Sequence, residues 1–257
     1  MYAVSCLSLT PVKGMRLHHP DEIVLGPSGV ADDRRLYVID ERGRLCGGAR
    51  LGRLVQVRPS YDDEAGWLAL DLPDGRQVEG TVALGEAVTT RFYLGRRVTG
   101  RLVEGPWNAA LSDFAGKPVR LVRTGQPGQG TDVHPVTLLG QASIAELARH
   151  AGCDEPLDAR RFRMLVTFAG GSAYDEEAWD GQRVRLGDAV VRVRGPVPRC
   201  AVTTRSPDTG RKDFDALQAI AAARGLGPDG GVDFGVYAEV VEPGRVRVGD
   251  PLELLGP

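Results

Sequence analysis

With 257 residues the chain can bury a substantial core, as one large β-rich domain or two small ones. Its 32 basic and 34 acidic residues leave a net charge of −2 with no long run of one sign, which argues against nucleic acid or an anionic membrane surface as a partner. No apolar segment approaches membrane-spanning length and Met1–Cys6 lacks the basic end and apolar stretch of a secretory signal, so a soluble, cytoplasmic protein is expected. Cys6, Cys46, Cys153 and Cys200 stand far apart with no CxxC pair. That spacing speaks against a zinc site, a thioredoxin motif or an iron–sulfur cluster, and a reducing compartment speaks against disulfides.

The first hundred residues read almost wholly as β. Val4–Leu9 alternates, and Glu22–Leu25, Leu36–Ile39, Leu54–Val57 and Trp67–Leu72 are short strand-like runs. Asp40–Gly43 and Pro73–Gly75 carry hairpin-turn chemistry. Beyond residue 100 the texture changes. Asn108–Ala115 reads as a short helix and Gly125–Gly130 as a mobile loop. Ser143–Ala148 combines a Ser-x-x-Glu capping box with helical spacing, and a further helix runs from Asp213 through Leu217 and Ile220 to about Ala223, ending at Gly225. Strands are expected at Met164–Phe168, Val184–Leu186, Val190–Val193, Tyr237–Val241 and Leu252–Leu255. Val184–Asp188 and Val246–Asp250 share an apolar-Arg-apolar-Gly-Asp pattern, each reading as a strand entering a tight turn.

The chemistry concentrates after one of these strands. Ala189–Arg194 should stop at Gly195-Pro196, and Pro196 and Pro198 should stiffen the loop that follows. Cys200 comes next, with Arg199 beside it. A thiol on a rigid loop beside a fixed positive charge is disposed to be a thiolate, the form that attacks electrophiles, carries sulfur and binds soft metals. The plainer alternative is a cysteine acting as a small core hydrophobe. His18 and His19 lie in a polar turn; adjacent residues of an extended segment point to opposite sides, so they do not read as a metal site. Leu25–Gly29 lacks the third glycine and following helix of a dinucleotide fingerprint.

Several motifs, in order, resemble the MOSC family, and in particular its two-part members, the amidoxime-reducing components and their bacterial relatives. They are Thr10-Pro11-Val12-Lys13-Gly14, Asp33–Asp40, Arg161-Phe162-Arg163, Trp179-Asp180-Gly181, Pro198–Thr204 followed by Pro207–Gly210, and Phe234–Val240. The resemblance implies a mostly β fold with a few helices: a MOSC-type β-barrel over 101–257 and an N-terminal β-barrel-like region over 1–100. It implies a molybdenum cofactor (molybdopterin), with Cys200 as catalytic residue and metal ligand, and no pyridoxal phosphate. Lys13, Arg34, Arg163 and Arg199 match the basic cofactor-contacting positions, and Arg50 is a further candidate. These residue types suit a pterin phosphate, which arginine grips with a planar fork and lysine meets as a point charge. Arg34 and Arg35 flank Asp32 and Asp33, however, and surface ion pairs of little worth are the alternative there. His134 stands where relatives often carry Ser; it either donates to the cofactor or is an ordinary loop histidine. Gly14 replaces a relative's Ser, leaving only a backbone N–H, and Met164-Leu165 replaces Pro-Asn.

Three functions follow as expectations. The first is a reductase of N-hydroxylated small molecules, fed electrons by a separate flavin or iron–sulfur protein. The second is a sulfur-transfer or cofactor-carrier protein that uses Cys200. The third is a binding module that keeps the fold without the activity.

Overall fold

The computed structural model describes residues 1–227 and 229–257. In chain order the strands and α-helices begin with β1 (Tyr2–Leu7), β2 (Glu22–Leu25), β3 (Leu36–Asp40), β4 (Arg58–Asp62), β5 (Trp67–Asp71) and β6 (Gln77–Thr81). They continue with β7 (Ala83–Arg91), β8 (Arg97–Glu104), α1 (Trp107–Ala115), β9 (Val119–Thr124), β10 (Val136–Gly140) and α2 (Gln141–His150). The last are β11 (Val166–Ala169), β12 (Arg183–Leu186), β13 (Ala189–Pro198), α3 (Ala216–Arg224), β14 (Asp233–Glu242), β15 (Gly244–Arg247) and β16 (Pro251–Gly256).

The expected mostly β architecture with a closed barrel is present. The barrel runs β1-β11-β10-β14-β13-β12-β16, and β16 returns to pair with β1. A register shift between Val4 and Cys6 lets both Val4 and Leu7 face inward, although three positions separate them. Strands β10 and β11 are parallel, so the chain between them must cross over, and α2 supplies that crossover. A second unit consists of the sheets β3-β9-β8-β7 and β4-β5-β6 around Leu36, Val38, Leu68, Leu70 and the fully buried Trp107. The indole N–H of Trp107 donates to the Val78 carbonyl at 3.1 Å, which removes the cost of burying that donor. Tyr37 and Ile39 leave β3 on its other face, where Tyr37 meets Phe92 edge-on at 5.0 Å. Burial on both faces explains why β3 reads as a continuous apolar run. Although early in the chain, β1 belongs to the barrel and β2 pairs with β15; β9, past residue 100, pairs with β3.

Four local expectations need correction. Leu54–Val57 is not a strand: Gly52–Gln56 forms a 3₁₀ turn and β4 begins only at Arg58. Leu54, Val55 and Val57 are all buried there, and a short apolar run buried all round carries no period to read. The strand expected to stop at Gly195-Pro196 continues through Pro198. Register shifts at Val193/Pro196 and Pro196/Pro198 accommodate the prolines, and Gly195 takes a φ of +84° that suits a bulge. The Gly125–Gly130 segment, expected to be a mobile loop, is anchored: Arg96 donates to the Gln129 carbonyl at 2.9 Å and Thr124 Oγ1 to the Gln126 carbonyl at 3.0 Å.

The fourth correction is the capping box. The residue at the N-cap of α2 is Gly140, and Ser143 lies inside the helix. Its hydroxyl donates to the buried Glu176 carboxylate at 2.8 Å and accepts from the Tyr174 N–H at 2.8 Å. Glu146 instead pairs with Arg149 at 2.7 Å. Burial pushes the Glu176 carboxyl above its ordinary range, against the Ser143 and Gly140 hydrogen bonds. The native state therefore holds this proton over the interval between the unfolded and folded values, and stability falls as pH rises through that interval. Glu176→Gln should keep an acceptor and flatten this part of the melting-temperature profile. Ser143→Ala should cost about 1–3 kcal/mol, the usual penalty for an abandoned buried acceptor. A Glu176→Gln profile as steep as that of the wild type would rule this account out.

Candidate functional site

A cavity of about 810 Å³ opens at the end of β13. Lys13, Gly14, Arg34, Arg50, His134, Arg163, Arg199 and Cys200 all line it, so the fold gathers every candidate residue at one place. Few of these come from strand interiors. They sit on the segments that leave β1, β3, β9 and β13 and on those that enter β3 and β11, and the sheets hold those segments in register.

Lys13 is fixed by its own backbone, whose N–H donates to the Leu36 carbonyl at 2.8 Å. Its ammonium donates to the Gly130 carbonyl at 2.9 Å and pairs with Asp132 at 2.9 Å, 5.5 Å from the Phe92 ring centroid. Burial lowers the Lys13 pKa, Asp132 opposes that shift, and Arg34 adds to it. Arg34 and Arg163 both adopt left-handed backbone conformations, with φ of +52° and +55°. Non-glycine residues adopt this region uncommonly, and among the described residues Leu94 and Tyr174 do so as well. The Arg34 guanidinium pairs with Asp33 and donates to the Arg163 carbonyl at 3.0 Å. Asp33 is in turn oriented by the Thr10 N–H at 3.0 Å. The ion pair foreseen for Arg34 is therefore real, but it is largely buried and serves to aim the guanidinium. Arg163 donates to the Met15 carbonyl at 2.8 Å; burial, with Arg34 nearby, lowers its pKa to about 10.

Cys200 is exposed and caps the 3₁₀ turn Ala201–Thr204. Its carbonyl accepts from the Thr203 N–H at 3.1 Å and hydroxyl at 3.0 Å, which fixes the backbone independently of the sulfur. Exposure disposes of the reading as a core hydrophobe. The Arg199 guanidinium turns inward, donating to the Phe162 carbonyl and meeting the Met164 sulfur at 3.3 Å. Among the described residues its Nε is buried without a partner. Burial lowers the Arg199 pKa, and Cys200 and Tyr237 oppose the shift. Leu165, flagged for lacking a polar side chain, is a core residue whose N–H donates to the Thr137 hydroxyl at 2.8 Å.

The remaining candidates form the walls. Gly14 has a φ of +91°, and a Cβ there would stand 3.1 Å from the Gly48 nitrogen, so glycine lets these two backbone segments of the cavity wall lie close together. Arg50 is exposed on the turn from Gly47. The His134 ring lies 5.9 Å from that of Tyr237, and burial lowers its pKa. Sequence reasoning missed Asp132, Tyr237, Phe92, Tyr93 and Arg91, all of which line the cavity. Asp132 stands two positions before His134, and nothing local marks it as the partner of Lys13.

Chemically, the cavity offers several cations, one accessible soft sulfur and little opposing charge. Among the described residues no group of three or more His, Cys, Asp or Glu is placed to hold a metal ion. A single thiolate beside phosphate-type donors fits a metal that arrives already chelated, with an anionic tail for the cations to hold. The Arg199 Nε, without a partner among the described residues, fits such a group as well.

Comparison with known proteins identifies the family. Residues 125–253 match the MOSC domain, and residues 1–113 match the MOSC N-terminal beta barrel domain. The human mitochondrial amidoxime-reducing component 1 is 31% identical over 257 residues, covering 89% of this chain and 74% of that protein. The Bos taurus mitochondrial amidoxime reducing component 2 is 26% identical, covering 97% of this chain and 82% of its own. Human molybdenum cofactor sulfurase is 23% identical over 92% of this chain but only 30% of its own length. The cytoplasmic location expected from the sequence is overturned by the amidoxime-reducing relatives, which are named as mitochondrial. Among the described residues no helix is long and apolar enough to cross a membrane, a property that carries no cellular address.

Proposed function

The chain belongs to the MOSC domain family, in its form with an N-terminal β-barrel region, and on that premise we propose a molybdenum-cofactor-dependent reductase of N-oxygenated small molecules. The observation that carries this reading is the convergence of Lys13, Arg34, Arg163, Arg199 and Cys200, from distant parts of the sequence, on one cavity. When bound, the cofactor supplies the two-electron redox chemistry. The chain supplies everything else. Cys200 is the thiolate ligand. Lys13, Arg34 and Arg163 neutralise and orient the phosphate tail, and the Gly14 backbone N–H and His134 are donors at its edge. Arg199 braces the Phe162 carbonyl and thereby the segment carrying Arg163. Arg50, exposed at the rim, attracts anions to the opening.

Removing oxygen from an amidoxime or hydroxylamine as water consumes two electrons and two protons. The electrons come from a separate flavin or iron–sulfur protein. Protein loaded with molybdenum should therefore not oxidise NADH unaided, whereas reduced viologen should drive benzamidoxime to benzamidine. Dye oxidation and amidine formation are the readouts. No turnover in protein with measured molybdenum would eliminate this substrate class. The exposure of Cys200 favours one alternative, a carrier of sulfur or cofactor, which would retain molybdenum without turning over.

A further inference from the structure

Arg163 also lines a second cavity, of about 580 Å³, together with Arg16, His18, His19, Arg58 and Arg160. The reading above gives this cavity no role. We propose that it binds a small phosphomonoester.

Charge is the first ground. Arg16 and Arg160 share Asp208, at 3.2 and 2.9 Å, and Arg160 is held further by Asp158 at 2.6 Å. These carboxylates balance two of the four guanidiniums. Among the described residues neither Arg58 nor Arg163 has a carboxylate within ion-pair distance; Arg163 is shared with the first cavity, so Arg58 is the unpaired cation this cleft has to itself. A cleft with apolar walls focuses such a potential rather than dispersing it. A phosphomonoester, close to a dianion at neutral pH, would meet Arg58 together with the partly exposed Arg16, and guanidinium forks match its oxygens better than ammonium groups would.

Size and walls are the second ground. The volume falls within the range of about 300–1,000 Å³ typical of small-molecule sites. It exceeds what a bare phosphate needs, and Leu17, Val55 and Pro207 offer apolar surface for an organic body. The imidazoles are fixed rather than free: His18 Nε2 contacts the Pro59 carbonyl, and His19 Nδ1 lies 3.1 Å from the Ser8 hydroxyl. The Arg16–Asp208 pair is partly exposed, so Arg16 can turn to a ligand at small cost while Arg160 keeps Asp208 through two hydrogen bonds of 2.9 Å.

The test is calorimetric titration of the purified full-length protein, its molybdenum content measured, with phenyl phosphate, inorganic phosphate and succinate. Saturable one-site binding of phenyl phosphate is expected, weakened at least tenfold in Arg58→Ala and less in Arg58→Lys. Arg16→Ala, at a second wall, should weaken it as well. Arg91→Ala, at a cation that lines only the first cavity, should leave it unchanged. Three results would overturn the assignment: no saturable binding, equal affinity in Arg58→Ala, or loss in Arg91→Ala alone, which would move the phosphate to the first cavity. Succinate binding as tightly would make the site a general dianion site and overturn the phosphoester choice. None of these outcomes depends on turnover, so the reductase reading stands or falls separately.

Discussion

Cys200→Ala is expected to abolish reductase turnover and to alter the metal's electronic spectrum while leaving the fold intact. The two halves of that result rest on different observations. The sulfur is exposed and forms no part of a core cluster, and the turn that follows is held through the Cys200 carbonyl, which alanine retains. Stability should change by no more than about 0.5 kcal/mol, as for surface substitutions generally. The functional loss should exceed the ~10–100-fold that supporting residues around metal ligands typically cost, because the ligand itself is gone. The other cysteines give the contrast. Cys46 is buried among Val38, Leu51 and Leu54, so its replacement should lower stability and spare activity. Cys6 and Cys153 are only partly buried and should tolerate Ser. Wild-type turnover by Cys200→Ala would remove the thiolate from the mechanism altogether.

Why Cys200 could be read from the sequence while its setting could not is a matter of range. Alternation, turn residues and the Pro-Arg-Cys run are local, and local patterns revealed six of the seven barrel strands, all but β10, together with α1, α2, α3 and the cysteine. The continuation of β13 through Pro196 and Pro198 depends on bulges against β14, which is far away in sequence. Prolines that look like a stop therefore carry the strand to the cavity edge. The left-handed conformations of Arg34 and Arg163 are equally silent, since arginine, unlike glycine, does not announce a positive φ. Ser143-x-x-Glu146 matched a cap by spacing, but a buried carboxylate on another segment claimed the serine. In each case a tertiary partner outweighed a sound local preference.

Lys13→Met should sharply lower molybdenum content and, separately, destabilise the protein by about 1–3 kcal/mol. The ammonium, 11% exposed, holds both Asp132 and the Gly130 carbonyl at 2.9 Å. Removing one partner of a buried pair commonly costs about 3–5 kcal/mol, but Asp132 is 46% exposed and water can take over part of its solvation. Titration separates this stability effect from the cofactor effect. Burial lowers the Lys13 pKa despite Asp132, so between that lowered value and the ordinary lysine value the unfolded chain binds more protons and stability rises with pH. Lys13→Met should erase that alkaline gain. Asp132, although burial raises its pKa, is held low overall by Lys13; its contribution is present above the unfolded carboxylate value and lost as pH falls through the folded one. Losing Lys13 should weaken that contribution too. The double variant Lys13→Met/Asp132→Asn should recover most of the lost stability, since no unpaired carboxylate remains, and none of the molybdenum, since the cation is still missing. Recovery of both would reduce Lys13 to a structural lysine; wild-type molybdenum content in Lys13→Met alone would take it out of the cofactor site.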